Sequence, residues 1–312
     1  MIEPVFPPAL QPGDTIGILS PASPMIRERL EKGMAYLKAR GFDVLVGKYV
    51  YDRRGYLAGT DAERVADLHD MFRNPGVKAI ISSRGGYGTP RLIPFVDYDL
   101  IRRNPKILVG YSDLTSLQLA IYSQTGLVTY SGPMAAVEMG KGIDPFTEAH
   151  FWSHLMAGQT YSEFPAIEDS ALVQVHPGKA TGRLIGGCLS MINAILGTPY
   201  QPDFREAILI FEEVGEEPYR VDRYLSQFRS AGILQEVSGI IFSQFVDCEP
   251  GDDPSLTLDE VIDDYTGGLK IPVVKNFLYG HVDRKFTIPI GAKVELDADD
   301  LRIRLLQHIN TI

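Results

Sequence analysis

Short apolar runs alternate with amphipathic stretches along the first half of the chain. The apolar runs predict strands at Thr15–Leu19, Phe42–Val46, Ala79–Ser82 and Ile107–Gly110. Between them, apolar residues recur at helical spacing and predict helices over Arg27–Arg40, Asp61–Phe72 and Asp113–Gln124. At the start of the second helix, Thr60 and Glu63 have the spacing of a capping box. Strands that alternate with helices predict a parallel sheet covered by helices on both faces.

The pattern changes in the second half, where predicted strands outnumber helices. The pattern of apolar and polar residues that predicts strands and helices weakens over 161–179. We interpret this segment as a linker between a first domain, residues 1–160, and a second domain, residues 180–312. The second domain is predicted to contain a buried helix over Gly182–Leu196 and another helix over Val221–Ser230. Its predicted strands are Ala207–Phe211, Gly239–Ser243, Val273–Leu278, Lys293–Leu296 and Leu301–Leu306. The sequence therefore predicts two α/β domains, the second richer in strands.

Composition limits the kinds of protein that this sequence can encode. Apolar residues make up 45% and charged residues 22% of the 312 positions, the balance of a soluble globular protein. A formal net charge of −10 argues against a nucleic-acid partner, because no basic face stands out that would bind phosphate. No apolar run reaches the roughly 18 residues of a membrane span, and the opening MIEPVFPPALQPGD lacks the apolar run of a signal peptide.

Cysteine content indicates the compartment. Cys188 and Cys248 are too few for a disulfide framework, so both are expected to be buried thiols. No set of histidine, cysteine or acidic residues has metal-ligand spacing. We therefore expect a cytoplasmic protein without a metal or another cofactor.

One serine directly follows a predicted strand. In KILVGYSDLTS, Ser112 stands between the strand that ends at Gly110 and the helix that begins at Asp113. Such a sharp turn holds a hydroxyl out from the carboxyl edge of a parallel sheet, where the helix start favours developing negative charge. Ser112 is therefore a candidate nucleophile. The alternative is a helix cap, with Asp113 and Thr115 as competing caps, and Leu114 stands where a G-x-S-x-G motif has its second glycine.

A glycine-rich segment, SRGGYG at Ser83–Gly88, follows another predicted strand. Glycine lets backbone amides approach a ligand closely. If this segment lies beside Ser112, the N–H groups of Gly86 and Asp113 could form an oxyanion hole. The alternative is an ordinary glycine-rich turn. A phosphate loop is not indicated, because both G-x-x-x-x-G-K-[ST] and G-x-G-x-x-G are absent.

Two further segments place an acid and a histidine at strand ends. Glu212 and Glu213 follow an apolar strand and point to opposite sides of it, so only one of them can face a given site. Glu212 is the better candidate for a buried acceptor, whereas the later charges of LIFEEVGEEPYRVDR also fit a solvated face. His281 follows a strand and a glycine in YGHVDRKFTIPIG. A neutral imidazole is the usual base for a serine, but His281 also fits a structural hydrogen-bonding role.

Taken together, these segments resemble one protein family. SRGGYG, VGYSDLT, FEEVGEEPYRVDR and GHVDRKFTIPIG occur in the order and rough spacing of the LD-carboxypeptidase family of serine peptidases. GDTIGILSPAS and GRLIGGCLS resemble it too, so the resemblance spans nearly the whole chain. This family includes muramoyltetrapeptide carboxypeptidases and microcin-C immunity proteins. The resemblance implies an N-terminal flavodoxin-like domain, a smaller β-rich α/β C-terminal domain, and a homodimer.

The resemblance also implies residue roles. Ser112 matches the nucleophile, Glu212 the acid that orients the histidine, and His281 the general base, while the amides of Gly86 and Asp113 match the oxyanion hole. The pattern E-x-P-Y-R-V-[DE]-R resembles the muramoyltetrapeptide branch. Its implied substrate is a murein tetrapeptide of cell-wall recycling, cleaved between the L-centre of diaminopimelate, or lysine, and D-alanine.

Three residues, Arg84, Tyr219 and Arg223, are predicted to contact that substrate. Two other functions also fit the sequence. One is microcin-type immunity, in which the same triad cleaves a peptidyl- or aminoacyl-nucleotide amide. The other is non-catalytic binding of a small peptide between two lobes. Activity on an aminoacyl-sulfamoyl adenosine tests the first, and labelling of Ser112 by a fluorophosphonate argues against the second.

Overall fold

Two β-sheets organise the protein in the computed structural model, which describes residues 2–156, 162–167, 170–251 and 254–306. Within these ranges one sheet has six strands and the other has eight. Helices are interleaved with the strands in both halves of the chain. The predicted mixed α/β class with two domains is confirmed.

The first sheet is built almost entirely from the first half of the chain. Its strands are β1 (Thr15–Leu19), β2 (Asp43–Val46), β3 (Val77–Ser82), β4 (Ile107–Val109), β5 (Thr129–Ser131) and β12 (Ile288–Ile290). They lie in the order β12-β5-β4-β3-β1-β2, and every pair is parallel except β12 with β5. The order β2-β1-β3-β4-β5 is that of a flavodoxin-like sheet. The carboxyl ends of β3 and β4 are neighbours, so the segment SRGGYG and Ser112 follow adjacent strands at the same edge of the sheet.

Helices cover this sheet. They are α1 (Arg27–Ala39), α2 (Asp61–Arg73), α3 (Tyr98–Arg103), α4 (Leu114–Thr125), α5 (Glu138–Lys141) and α6 (Pro145–Leu155). The predicted capping box is present at α2, where Thr60 and Glu63 accept each other's backbone N–H. Helix α4 is buried on nearly all sides, because it also packs against a strand and a helix from the second half of the chain.

The second sheet contains a parallel centre with antiparallel flanks. Its strands are β6 (Glu163–Phe164), β7 (Val173–His176), β8 (Lys179–Cys188), β9 (Ile208–Val214), β10 (Gly239–Val246), β11 (Val273–Lys275), β13 (Lys293–Asp297) and β14 (Arg302–Leu305). The accompanying helices are α7 (Leu189–Asn193), α8 (Pro218–Ser230) and α9 (Leu258–Thr266). The order is β6-β14-β13-β8-β9-β10-β11-β7. The segment 161–179, expected to be a linker, thus supplies β6 and β7 at opposite edges. Among the described residues, no helix is long and apolar enough to cross a membrane.

The predicted helix over Gly182–Leu196 is wrong for most of its length. Residues up to Cys188 belong to β8, and the helix α7 is short. The glycine pair explains the difference, because φ at Gly186 is +152° and a Cβ there would lie 1.9 Å from the carbonyl oxygen of Ile210. Glycine lets β8 approach β9 closely. This requirement comes from a neighbouring strand, which the local sequence does not reveal.

Gly186→Ala is therefore expected to lower the free energy of unfolding by more than about 2 kcal/mol, because the added methyl group would clash with the backbone of β9. Gly232→Ala is the matched control. Its φ is +76°, and no atom of the described residues lies within 4 Å of the Cβ position, so it should cost roughly 1 kcal/mol through its left-handed backbone alone. Chemical denaturation measures both losses, and equal losses would contradict the close-approach explanation.

A late strand, β12, connects the two sheets. It pairs with β5 of the first sheet, with Ile288 opposite Ser131. Directly after it, the N–H of Gly291 donates to the carbonyl of Leu184 in β8, at 2.8 Å. The segment between β11 and β12 contains His281. It is therefore held between the first sheet and the second.

Candidate active site

Ser112 lies in a tight turn between the end of β4 and the start of α4. Its φ is +66°, in the left-handed region, which costs a non-glycine residue about 1–3 kcal/mol. Gly85 packs against this turn, since a Cβ at position 85 would lie 3.0 Å from Ser112 Cβ and 3.1 Å from its Oγ. Glycine at position 85 therefore leaves room for the serine side chain. This is the sharp strand-to-helix turn that the sequence predicts.

The structure brings His281 and Glu212 to this serine. His281 Nε2 lies 2.9 Å from Ser112 Oγ, and His281 Nδ1 lies 2.7 Å from Glu212 Oε2. Glu212 belongs to β9, whereas His281 follows Gly280 after β11. A Cβ at Gly280 would lie 3.0 Å from both Glu212 Cβ and Oε2, so glycine is needed next to the histidine for this close approach. The three side chains form one line of hydrogen bonds.

The acceptor at one end of this line determines the imidazole tautomer. An ionised carboxylate only accepts, so Nδ1–H of His281 donates to Glu212, and Nε2 is left to accept from the Ser112 hydroxyl. Glu212 is fully buried, and its Oε1 has no hydrogen-bond partner within the described residues. Its other oxygen therefore interacts with the imidazole without competition from solvent.

Glu213 points to the other side of β9, in agreement with strand alternation. Its carboxylate accepts the N–H of Ser190 at 2.7 Å and the thiol of Cys188 at 3.3 Å. Burial raises the pKa of Glu213. Both Cys188 and Cys248 are buried free thiols, as predicted. In the described ranges, no three His, Cys, Asp or Glu side chains form a group that could hold a metal ion.

The glycine-rich segment is tied to the Ser112 turn by Asp113. The buried Asp113 carboxylate accepts the N–H of Gly88 at 3.1 Å and that of Thr89 at 2.8 Å. Burial raises the pKa of Asp113, and these N–H donors oppose that rise. The N–H groups of Gly86 and Asp113 donate to no other described residue. Both donors are unused among the described residues, and their role as an oxyanion hole stays a prediction.

Comparison with known proteins gives the family. Residues 16–132 match the LD-carboxypeptidase N-terminal domain, and residues 181–296 match the LD-carboxypeptidase C-terminal domain. A probable murein peptide carboxypeptidase of Bacillus subtilis strain 168 is 41% identical over 294 residues, which are 93% of this chain and 91% of that protein. This chain belongs to the LD-carboxypeptidase family. The family predicted from the sequence motifs is confirmed.

Solved structures of related proteins have the same fold. The structure of MccF, the microcin C7 self-immunity protein of Escherichia coli, with glutamyl sulfamoyl guanosine has a TM-score of 0.90 at 28% identity, covering 99% of this chain and 100% of MccF. The muramoyltetrapeptide carboxypeptidase of Oxalobacter formigenes has a TM-score of 0.81 at 31% identity, covering 93% of this chain and 97% of that one. Both branches considered from the sequence are thus represented among its relatives.

Arg84 belongs to the glycine-rich segment. Its Nε donates to the carbonyl of Gly85 at 3.2 Å, and its Nη1 lies 3.5 Å from the carbonyl of Pro24. Its Nη2 lies 3.6 Å from where a Cβ of Gly86 would stand. Arg84 is therefore a cation close to one of the two unused amides.

Tyr219 and Arg223 both lie on α8, and Tyr219 lines a hollow of about 360 Å³. The Tyr219 ring is half-exposed, and the Arg223 guanidinium lies 5.5 Å from its centre. No hydrogen bond or ring contact within the described part of the chain joins either residue to Ser112, Glu212 or His281. Their substrate contacts stay a prediction.

Sequence reasoning missed a buried cluster of Tyr111, Glu138 and Lys285 beside the site. Tyr111 directly precedes Ser112, and Lys285 follows His281 by four residues. Glu138 comes from α5 and forms an ion pair with Lys285 at 2.6 Å. Proximity to motif residues is the one signal that could have drawn attention to Tyr111 and Lys285. No local pattern connects Glu138 to either of them.

Proposed function

We propose that this protein is a serine carboxypeptidase that hydrolyses the last amide bond of a short peptide. The observation that carries the proposal is the line Ser112–His281–Glu212, with contacts of 2.9 and 2.7 Å. A hydroxyl, an imidazole and a buried carboxylate in this order form an activated nucleophile. Membership in the LD-carboxypeptidase family supports the same conclusion.

The first half of the proposed reaction forms an acyl-enzyme. His281 Nε2 takes the proton of Ser112 as Oγ attacks the carbonyl carbon, which gives a tetrahedral oxyanion. Glu212 accepts the Nδ1–H throughout and stabilises the imidazolium. Nε2–H then protonates the leaving nitrogen, the C–N bond breaks, and the C-terminal amino acid departs.

The second half releases the shortened peptide. His281 removes a proton from water, whose oxygen attacks the ester carbonyl carbon of acylated Ser112. When the second tetrahedral intermediate collapses, Nε2–H returns the proton to Ser112 Oγ, and the peptide leaves with a new carboxylate. The enzyme regains its starting state, so one water is consumed in each cycle.

The amides of Gly86 and Asp113 are proposed to bind the oxyanion in both halves. Asp113 precedes the first turn of α4, where the helix dipole favours negative charge. A single donor of this kind typically supplies about 3 kcal/mol of transition-state stabilisation. Arg84, beside Gly86, is proposed to bind the terminal carboxylate of the substrate, because a guanidinium matches that group in charge and geometry.

A murein tetrapeptide is the proposed substrate, with cleavage between the L-centre of diaminopimelate, or lysine, and the terminal D-alanine. The relative from Bacillus subtilis is named a probable murein peptide carboxypeptidase, and that from Oxalobacter formigenes a muramoyltetrapeptide carboxypeptidase. The segment EEPYRVDR supports this branch. The enzyme would thus act in cell-wall recycling.

A second candidate substrate follows from the likeness to MccF, whose solved complex contains glutamyl sulfamoyl guanosine. The same nucleophile and base would hydrolyse the amide of an aminoacyl-nucleotide analogue. The chemistry at Ser112 is identical in the two cases. The substrates differ in the group on each side of the scissile amide, so a comparison of their cleavage shows which of them the site accepts.

Mass spectrometry of the two substrates tests the proposal. Incubation with L-alanyl-γ-D-glutamyl-meso-diaminopimelyl-D-alanine should remove one alanine, and fragment ions should show that the C-terminal one is lost. Ser112→Ala serves as the background control. Release of glutamate from glutamyl sulfamoyl guanosine with an intact tetrapeptide would instead favour the immunity function. Binding of tetrapeptide without either product would favour the non-catalytic peptide-binding function.

The expected cytoplasmic location and homodimer stay predictions. Cell fractionation followed by immunoblotting tests the location. Size-exclusion chromatography with light scattering measures the mass of the assembly, which should be twice the 34.5 kDa of the chain.

A further inference from the structure

A buried charged cluster packs directly behind the catalytic histidine. Glu138 Oε1 accepts the Tyr111 hydroxyl at 2.8 Å and the Lys285 ammonium at 2.6 Å, while Oε2 accepts the N–H of Met134 at 2.9 Å. The Lys285 ammonium also lies 4.0 Å from the centre of the Tyr111 ring. Tyr111 in turn meets the His281 ring at a centroid distance of 5.1 Å and an angle of 64°.

Both charges are almost completely inaccessible to solvent. Lys285 is 1% exposed and Glu138 is 8% exposed. Burial by itself would raise the pKa of Glu138, but Lys285 and the neighbouring hydrogen-bond donors hold that pKa below its ordinary value. A buried ion pair of this kind is weak evidence for stability, because apolar residues of similar size often serve as well. Its presence beside the site therefore calls for another explanation.

The cluster connects the histidine segment to the first half of the chain. The backbone N–H of Lys285 donates to Thr147 Oγ1 at 2.8 Å, and that hydroxyl donates to the carbonyl of Asp283 at 3.0 Å. Thr147 lies on α6. The residues that follow His281 are thus docked on a helix of the domain that carries Ser112.

The Glu138 side of the cluster is attached to the glycine-rich segment. The N–H groups of Ala135 and Ala136 donate to the carbonyls of Ser82 and Ser83, at 3.0 and 2.8 Å. Glu138 follows two residues later. Hydrogen bonds and one ion pair therefore connect the end of β3, through Glu138, to Lys285 and the segment that carries His281.

We propose that the Tyr111–Glu138–Lys285 cluster is a positioning device that holds the His281 imidazole in line with the Ser112 hydroxyl. Tyr111 supports the imidazole from the side, and the ion pair fixes both Tyr111 and the segment that carries the histidine. The three residues act through His281 and do not touch the reacting atoms. The expected change in kcat rests on the proposed function, whereas the expected change in the distance between His281 and Ser112 does not.

Two variants separate positioning from stability. Lys285→Met leaves a buried Glu138 carboxylate whose charge is no longer paired with a cation, so it should lower both the melting temperature and kcat. In Glu138→Gln/Lys285→Met the unpaired charge is gone, so the melting temperature should recover. We expect kcat of this double variant to stay roughly 10- to 100-fold low with KM within about twofold, since a misplacement near 1 Å can cost that much.

Lys106→Met is the matched control. Lys106 is also buried, and its ammonium donates to the carbonyl of Met71 at 2.9 Å, at the opposite end of β4 from Ser112. This variant should lose stability and keep kcat. Recovery of kcat together with the melting temperature in the double variant would overturn the positioning role.

A crystal structure of the double variant gives the geometric readout. The distance between His281 Nε2 and Ser112 Oγ should exceed about 3.5 Å, the limit of a hydrogen bond, whereas it is 2.9 Å in the native chain. An unchanged distance would overturn the proposal. If the native protein cleaves no peptide, the proposed function fails, and this distance alone still decides whether the cluster positions His281.

Discussion

Replacing Ser112 by alanine is expected to lower turnover of the murein tetrapeptide at least ~10³-fold and to leave its binding nearly unchanged. The substitution removes Oγ, which in the proposed mechanism forms the bond to the scissile carbon, and keeps the Cβ that packs against Gly85. The fold around the turn should therefore persist. Steady-state kinetics measure the loss of turnover, and isothermal titration calorimetry measures binding.

Ser123→Ala is the control for this experiment. Ser123 lies on the same helix, α4, and its hydroxyl donates to the carbonyl of Tyr200 at 2.8 Å. Loss of that hydrogen bond should affect stability by about 1 kcal/mol and leave turnover intact. An undiminished rate in the Ser112 variant would exclude Ser112 as the nucleophile, whatever the control shows.

Glu212→Gln is expected to reduce kcat by about 10⁴-fold, the loss found when the carboxylate of such a triad becomes an amide. If the new amide nitrogen faces His281, the imidazole must adopt the wrong tautomer and can no longer accept the serine proton. If the amide oxygen faces His281, the NH₂ group takes the place of Oε1, which is buried and unpaired among the described residues. The first arrangement disables the base, and the second leaves buried N–H donors without an acceptor and removes the charge that stabilises the imidazolium.

Glu213→Gln provides a neighbouring control on the same strand. Glu213 is also buried, and its carboxylate accepts from Ser190 on the other side of β9. Turnover should stay within a few fold of the native value. Equal losses in the two variants, measured as kcat at saturating tetrapeptide, would show that burial of a carboxylate in β9 matters more than its contact with the histidine.

Much of the candidate site can be predicted from the sequence, because its residues lie in or shortly after recognisable strands. Ser112 and the glycine-rich segment follow β4 and β3, and parallel neighbours release their next residues at the same edge of a sheet. Alternation along β9 separates Glu212 from Glu213. The motif set then supplied the family, which the comparisons confirm.

Other features had no local signal. The sequence predicts a helix from Gly182, where β8 continues to Cys188, because the glycine pair is required by the backbone of β9 and not by its own neighbours in the chain. The pairing of β12 with β5 adds a strand from near the end of the chain to the first sheet. The Glu138–Lys285 ion pair joins residues whose surroundings in the sequence indicate no charge partner.

Most strands and helices of the first half, the helix cap at Thr60 and the choice of residues able to carry the chemistry can be derived from the chain alone, since they depend on local burial patterns and backbone preferences. The meeting of His281 with Ser112, 169 positions apart, was decided by how the two sheets pack and by the segment held between them. Contacts across such distances depend on the relative placement of whole elements. A local pattern of side chains does not encode that placement.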